Sequence, residues 1–151
     1  MTARERGEPL ADTDSACLEF EWVPSAHLLV AYHANGSVDD DTWDEYVYAV
    51  HTNLGPDLRC LVWNEGGRPT TDQQRRLVSA TQDAKVPVAI VSSSIAVRFI
   101  VSALALVNRH VRYFPVDQVN NALAYLCKDA SQRGAAVDAL ERIRKRATLR
   151  E

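Results

Sequence analysis

The chain has 151 residues, of which 46% are hydrophobic and 25% charged, and this is the composition of one globular domain of ordinary size. A formal net charge of −3 gives no general attraction to nucleic acid or to anionic lipid, so nucleic acid is not expected as a partner. The three cysteines, at positions 17, 60 and 127, lack metal-ligand spacing and leave at least one thiol unpaired, which favours a reducing, cytoplasmic location.

Two segments of the sequence decide whether a signal peptide or a membrane-spanning helix is expected. Residues 1–16, "MTARERGEPLADTDSA", contain no apolar stretch typical of a signal peptide and are predicted to form a flexible polar tail. The apolar run from Val86 to Val107 is interrupted by Pro87 and by three consecutive serines, so it predicts a buried strand, a turn and a helix. No membrane insertion is expected.

The first predicted elements are a hairpin and a helix. "LEFEWVP" alternates apolar and polar residues and "HLLVAYHANG" is largely apolar, so the two are expected to pair as antiparallel strands. Ser37 is then expected to cap a helix whose first turns are rich in aspartate. The predicted buried face of this helix contains Trp43, Val47, Val50 and Leu54, with Tyr46 beside them.

The next two predicted strands are continuous apolar runs, "LRCLVW" and "VPVAIV". Runs of this kind are typical of strands that helices cover on both faces. The side chains of Cys60, Val62, Ile90 and Val91 are therefore expected to be almost wholly buried. "VRYF" is the last predicted strand.

Four further helices are predicted from their capping residues and apolar spacing. Thr70 to Gln73 and Thr71 to Gln74 each match a capping box, so a helix is expected from there to about residue 84. Ser93 or Ser94 is expected to cap the next helix, over 95–108, and Asp117 the one after it. A final helix is predicted over about 134–149, with arginines opposite its apolar stripe.

The elements therefore alternate after an opening hairpin. Such an order predicts an α/β fold with a mixed, mostly parallel sheet of four or five strands and helices against it. We assign residues 17–128 to this domain and residues 129–151 to an additional C-terminal basic amphipathic helix.

Three stretches carry a resemblance to a known family: "LLVAYHANGSVDDDTWDEYV", "LVWNEGGRPTTDQQRRL" and "VAIVSSSIAVRFIVSALALVNRHVRYFPVDQVNNALAYL". In apolar pattern and turn residues they resemble the STAS domain, and in detail the STAS-like family of small stand-alone bacterial proteins related in fold to anti-sigma factor antagonists. The resemblance covers roughly 18–126. It implies an α/β fold and binding to other proteins in bacterial signalling or regulation.

The same resemblance raises the question of phosphorylation. In antagonists that are phosphorylated, a hydroxyl in an Asp-Ser-Ser/Thr-Gly-like turn after the third strand accepts the phosphate. The matching residues here are Asn64-Glu65-Gly66-Gly67, which offer no hydroxyl, so no phosphate is expected on them. Thr70 and Thr71 are the nearest hydroxyls and remain candidate acceptors, although both also match helix caps.

Two polar turns follow neighbouring predicted strands and are expected on one edge of the sheet, where open α/β sheets bind ligands. Each can be explained as a turn and helix cap, or as a rim that contacts a partner or binds an anion through helix N-terminal amides. Neither matches a phosphate-binding glycine motif. The candidate rim residues are Asn64, Glu65, Gly66, Gly67, Arg68, Thr70, Thr71, Ser92, Ser93 and Ser94.

The predicted helix "IAVRFIVSALALVNRH" is apolar nearly all round, since only Arg98, Ser102 and Arg109 form a polar stripe. Its surplus apolar surface is covered either by neighbouring helices or by another subunit or partner. The candidate association face contains Ala96, Phe99 and Ala103.

No residue pattern points to catalysis, a cofactor or a metal site, because the four histidines lack a recognisable nucleophile or ligand partner in sequence. We therefore expect a non-enzymatic module whose partners are proteins, including a second copy of itself. The alternative is a module that binds a small ligand or nucleotide at the rim around Gly66 and Ser93. A flat apolar patch with a polar border would favour the first, and a concave apolar pocket the second.

Overall fold

A computed structural model describes residues 17–81 and 84–150, except the side chains at 107 and 150. Five strands form one sheet in the order β1-β2-β3-β4-β5. β1 is antiparallel to β2, and the remaining neighbours are parallel, so the predicted hairpin and mostly parallel sheet are confirmed. The strands are β1 (Leu18–Val23), β2 (Leu28–His33), β3 (Arg59–Asn64), β4 (Val88–Val91) and β5 (Val111–Phe114).

Five α-helices pack against this sheet in the described part of the chain. They are α1 (Asp40–Thr52), α2 (Thr71–Thr81), α3 (Ile95–Val107), α4 (Val119–Leu126) and α5 (Ala130–Arg150). None of them combines the length and apolarity that crossing a membrane requires. The apolar run from 86 to 107 is divided into β4 and α3, as predicted.

One face of the sheet is covered by α4 and α5. Alternate residues of the strands point to this face, and the buried set includes Leu28, Val30, Leu61 and Val91. α5 contributes small and apolar side chains to the same cluster, namely Ala136, Ala139, Leu140 and Ile143. The C-terminal helix is thus packed into the core, although its Val137 is exposed.

α1, α2 and α3 lie on the opposite face and cover it only in part. Its buried cluster joins Leu29, Ala31 and Cys60 of the sheet to Trp43, Tyr46 and Val50 of α1. Val47 and Leu54 from the predicted helix face are only half-buried. Of the four strand side chains expected to be almost wholly buried, Cys60 and Val91 are, but Val62 and Ile90 are not.

Three helix ends differ from prediction. Asp39, not Ser37, caps α1, since its side chain accepts a hydrogen bond from the Thr42 amide at 3.1 Å. Asp117 lies inside a short 3-10 turn and does not cap α4. α5 begins at Ala130, four residues before the predicted start, where Asp129 accepts from the Gln132 amide. Ser37 and Asp39 are both suitable N-cap residues two positions apart, which explains the first difference, whereas α4 has no side-chain cap.

Candidate functional site

The loop after β3 is tied to the end of β2 by its own backbone. The amide of Glu65 donates to the carbonyl of His33 at 2.8 Å, and that of Arg68 donates to the carbonyl of Gly36 at 3.1 Å. Asn64 closes the turn, because its Oδ1 accepts from the Gly66 amide and its Nδ2 donates to the Gly67 carbonyl. These amides are therefore occupied within the protein and are not available to bind an anion.

Both glycines of this loop are required by geometry. Gly66 has φ +111°, a conformation that residues with a Cβ rarely adopt. A Cβ on Gly67 would lie 1.7 Å from His33 Nδ1 and 2.5 Å from the carbonyl oxygen of Ala34. The glycine pair is explained by a left-handed turn and a close approach between two chain segments.

Thr70 and Gln73 form a reciprocal capping box at the start of α2. The Gln73 amide donates to Thr70 Oγ1 at 3.0 Å, and the Thr70 amide donates to Gln73 Oε1 at 3.0 Å. Gln73 is buried and also donates through Nε2 to the Val38 carbonyl and to Asp40. Of the two predicted capping boxes, the one at Thr70 is confirmed, and Thr71 is simply the first residue of the helix.

The serine turn after β4 is also structural. Ser94 caps α3 by accepting from the Val97 amide at 3.2 Å, as one of the two predicted caps. Ser92 is fully buried, its Oγ accepts from the Ser94 amide, and its carbonyl accepts from the Tyr113 hydroxyl. Ser93 is the exposed residue of the three.

Beside these turns, a groove of about 800 Å³ opens between α2 and α3 over the middle of the sheet. Its floor contains Val62, Val88 and Ile90, alternate residues of β3 and β4 on the face that α1 also covers. This position explains why Val62 and Ile90 are only half-buried: α2 packs against α1 and α3 packs against β5, so neither helix covers these strands.

The walls of the groove are mainly apolar, and the polar members lie on α2. The α2 wall is formed by Gln74, Leu77, Val78 and Thr81. The α3 wall is formed by Val97, Ile100, Val101 and Leu104. Sequence reasoning missed this groove, and its visible signal was the Leu77-Val78 pair in an otherwise polar helix.

The exposed side of α3 continues this apolar surface. Ile95 and Phe99 are each 71% exposed and lie one turn apart, and Leu106, two turns farther along, is 87% exposed. Ile100 and Leu104 are partly exposed and also line the groove, so they connect it to the outer side of the helix. We call the groove and the outer residues Ile95, Phe99, Ala103 and Leu106 the docking face.

The predicted apolar surplus of α3 is thus confirmed. Ala103 is exposed and Ala96 is half-buried, so neighbouring elements in the described part of the chain leave both accessible. An apolar surface of this extent is uncommon on a protein that works alone.

The charged groups that line the groove are positive. Arg68 lies beyond the end of β3, and Lys85 and Arg109 lie near the starts of β4 and β5, at the opposite end of the groove. None of the described lining residues is Asp or Glu. Asp83, which is near Lys85 in sequence, lies outside the described residues. The lining is therefore cationic on a chain whose formal net charge is −3.

His33 lines the groove near its Arg68 end and is 3% exposed. Its Nδ1 donates to the Ala34 carbonyl at 2.9 Å, which leaves Nε2 as a buried acceptor without a partner among the described residues. Burial lowers the pKa of His33, so the imidazole is neutral near pH 7.

Other reactive groups are few near the groove. Burial raises the pKa of Cys60 to about 12, so its thiol is not ionised at neutral pH and is a poor nucleophile. Within the residues that the structure describes, no three His, Cys, Asp or Glu side chains are grouped to hold a metal ion.

Comparison with known proteins gives no family for this chain. No family model matches it, and a search among curated proteins finds no match.

Proposed function

We propose that the chain is a non-enzymatic, STAS-like module that binds another protein through the docking face, in bacterial signalling or regulation. The observation that carries the proposal is the uncovered apolar surface of α3 and the groove beside it. Burying such surface is worth roughly 25 cal/mol for each Å², which favours association. A cytoplasmic location is part of the proposal and is supported by Cys60 and Cys127, which are buried and form no disulfide.

The candidate rim contributes to this function mainly through structure. Its turns hold the starts of α2 and α3 in place, and these two helices form the walls of the groove. Thr70 is engaged in the capping box, so phosphorylation there would have to break that box, while Thr71 carries no such hydrogen bond among the described residues. Phosphorylation at Thr71 therefore remains a proposal that a kinase-labelling experiment with Thr71→Ala would test.

A matched pair of aromatic positions allows a direct test. Phe99 on the docking face is 71% exposed and Tyr48 on α1 is 70% exposed, so either accepts a photo-crosslinking amino acid without disturbing the core. We expect discrete cross-linked products in a native cell lysate from position 99 and not from position 48. The products should disappear when Ile100→Glu places a charge at the mouth of the groove.

Two controls make this experiment decisive. Circular dichroism should show that Ile100→Glu leaves the protein folded, and sedimentation should show whether the product is a second copy of the chain. Ala103→Glu should weaken association for the same reason as Ile100→Glu. Equal cross-linking at positions 48 and 99, or cross-linking that Ile100→Glu does not reduce, would contradict the proposed function.

Small-ligand binding is the second candidate, favoured by one observation. The groove volume of about 800 Å³ lies within the range of ligand pockets, and the groove is concave. A ligand held in the groove would not touch the outer side of α3, so Phe99→Ser would leave binding unchanged. Loss of function in Phe99→Ser therefore favours protein docking.

A further inference from the structure

We infer that the segment bound by the docking face is an amphipathic helix with an apolar stripe and acidic residues near both of its ends. This inference rests on the proposed docking function and adds the chemistry of the partner. Three observations carry it: the pairing of the floor strands, the dimensions of the walls and the charge of the lining.

The floor of the groove cannot accept an added strand. β3 and β4 are interior strands whose backbones pair with each other and with β2 and β5. A bound segment therefore finds no free backbone partners on the floor and has to satisfy its own amides and carbonyls. A helix does so internally, and an apolar stripe on it suits a groove walled by two helices.

The walls set the size of the bound helix. α2 has 11 residues and α3 has 13 residues. At 1.5 Å per residue the walls are about 16–20 Å long, which matches a helix of about three to four turns.

The ends of the groove set its charge. Arg68 lies at one end and Lys85 and Arg109 at the other, and no ion pair between described residues involves any of the three. Other arginines of the chain do have carboxylate partners: Arg75, Arg76, Arg142 and Arg146. The groove cations are thus left to pair with carboxylates of a bound segment, which also steers its association.

A second copy of the chain fits this charge poorly. The only charged residue of α3 is Arg98, and Arg109 follows the helix directly. Packing α3 of one copy into the groove of another would bring these cations toward Arg68, Lys85 and Arg109. Like charges brought together in this way are unfavourable, so an acidic helix of a different protein is the better occupant.

The test uses two designed helical peptides of about four turns that share one apolar stripe of leucine and isoleucine. One carries glutamates and the other lysines near both ends, and each is labelled for fluorescence anisotropy with the full chain. We expect the acidic peptide to bind about tenfold more tightly at low salt, a factor that three exposed ion pairs supply, and the difference to shrink at high salt.

Reversing charges in the protein shows which cations cause the preference for the acidic peptide. The triple variant Arg68→Glu, Lys85→Glu, Arg109→Glu is expected to reverse the preference, so that the basic peptide binds more tightly. A matched control changes three cations on the opposite side of the molecule by the same total charge: Lys128→Glu, Arg133→Glu and Lys145→Glu. This control should retain the preference for the acidic peptide.

The outcomes separate the inference from the proposed function. Equal binding of both peptides, or a preference that the control triple reverses as strongly as the groove triple, overturns the inference and leaves docking intact. Binding of neither peptide, with groove-dependent cross-linking still present, also overturns only the helix inference. Binding of neither peptide together with no groove-dependent cross-linking overturns both.

Discussion

The two faces of the sheet are built from the same kinds of residue and are covered to different extents. On one face, α4 and α5 lie over the central strands, and Leu61, Val91 and Ile143 are completely buried. On the other, α1 and α2 lie over one side and α3 over the other, so Val62 and Ile90 between them form the floor of a groove.

An apolar strand therefore does not by itself specify a closed core. β3 and β4 present apolar residues to both faces, and that pattern is satisfied either by a helix of the same chain or by one supplied from outside. Where the chain does not supply the helix, the residue pattern of a core becomes the residue pattern of a binding site. Substitutions on one face of the sheet at a time test this difference between the two faces.

The largest expected difference is between two isoleucines. Ile143 of α5 is fully buried on the covered face, and Ile90 of β4 lies on the groove floor. Ile143→Ala should lower the free energy of unfolding by about 2–5 kcal/mol, because it leaves a cavity. Ile90→Ala should cost less than half as much, since no cavity is created where the side chain already borders an open groove.

Urea denaturation with both variants measures this difference. Equal losses of unfolding free energy would mean that the groove floor is as closely packed as the covered face. In that case the distinction between the two faces would be wrong.

The order of elements and the sheet type could be predicted because they depend on local patterns. Strand and helix periodicity and the Thr70 and Ser94 caps are all properties of short segments. The error at Ser37 arose because Asp39, two residues farther along, is an equally suitable cap, whereas Asp117 lies in a 3-10 turn and α4 has no side-chain cap.

The burial of Val62 and Ile90 could not be predicted because it depends on where distant helices lie. Nothing in "LRCLVW" or "VAIV" states that α2 will pack on α1 rather than over β3. The apolar surplus of α3 was visible in sequence, since it belongs to one helix. The groove beside it required the tertiary arrangement.

The next largest effect is expected at Gly67, where the loop after β3 closely approaches the end of β2. Gly67→Ala places a methyl group 1.7 Å from His33 Nδ1 and against the Ala34 carbonyl, so β2 or the loop has to move. We expect a loss of about 2–3 kcal/mol of unfolding free energy. Gly134→Ala is the control, because nothing lies within 4 Å of the added atom on α5, and there a gain of about 0.5–1 kcal/mol is expected. A thermal melt in which both variants behave alike would contradict this account of Gly67.

A smaller effect is expected from protonation of His33, which should make the free energy of unfolding depend on pH. Burial lowers the pKa of His33, so below its ordinary value of about 6.5 the unfolded chain takes up a proton that the folded chain does not. The free energy of unfolding should therefore decrease as the pH is lowered below about 6.5, by up to about 1.4 kcal/mol per pH unit. The carboxylates whose pKa is lowered by hydrogen bonds or arginine, such as Glu21 and Asp40, contribute losses only below about pH 4.5.

Two histidine variants test whether His33 causes the loss of unfolding free energy at low pH. His33→Gln should remove the part between pH 6.5 and 5, whereas His51→Gln, at an exposed histidine of α1, should keep it. Denaturant titrations at several pH values provide the measurement. A loss that survives His33→Gln unchanged would mean that another group carries it.

The smallest effect distinguishes two adjacent threonines at the start of the groove wall. Thr70 accepts a hydrogen bond from the Gln73 amide, so Thr70→Ala leaves that amide without its cap and should cost about 1 kcal/mol of unfolding free energy. Thr71 is the first residue of α2, with an exposed side chain, and Thr71→Ala should change stability by no more than a few tenths of a kcal/mol. Because Gln73 also donates to the Val38 carbonyl, just before α1, and to Asp40 at the start of α1, loss of the cap should loosen the α2 wall and weaken binding at the docking face. Urea denaturation and peptide anisotropy on the two variants measure both effects, and equal behaviour of Thr70→Ala and Thr71→Ala would show that the capping box does not hold the wall in place.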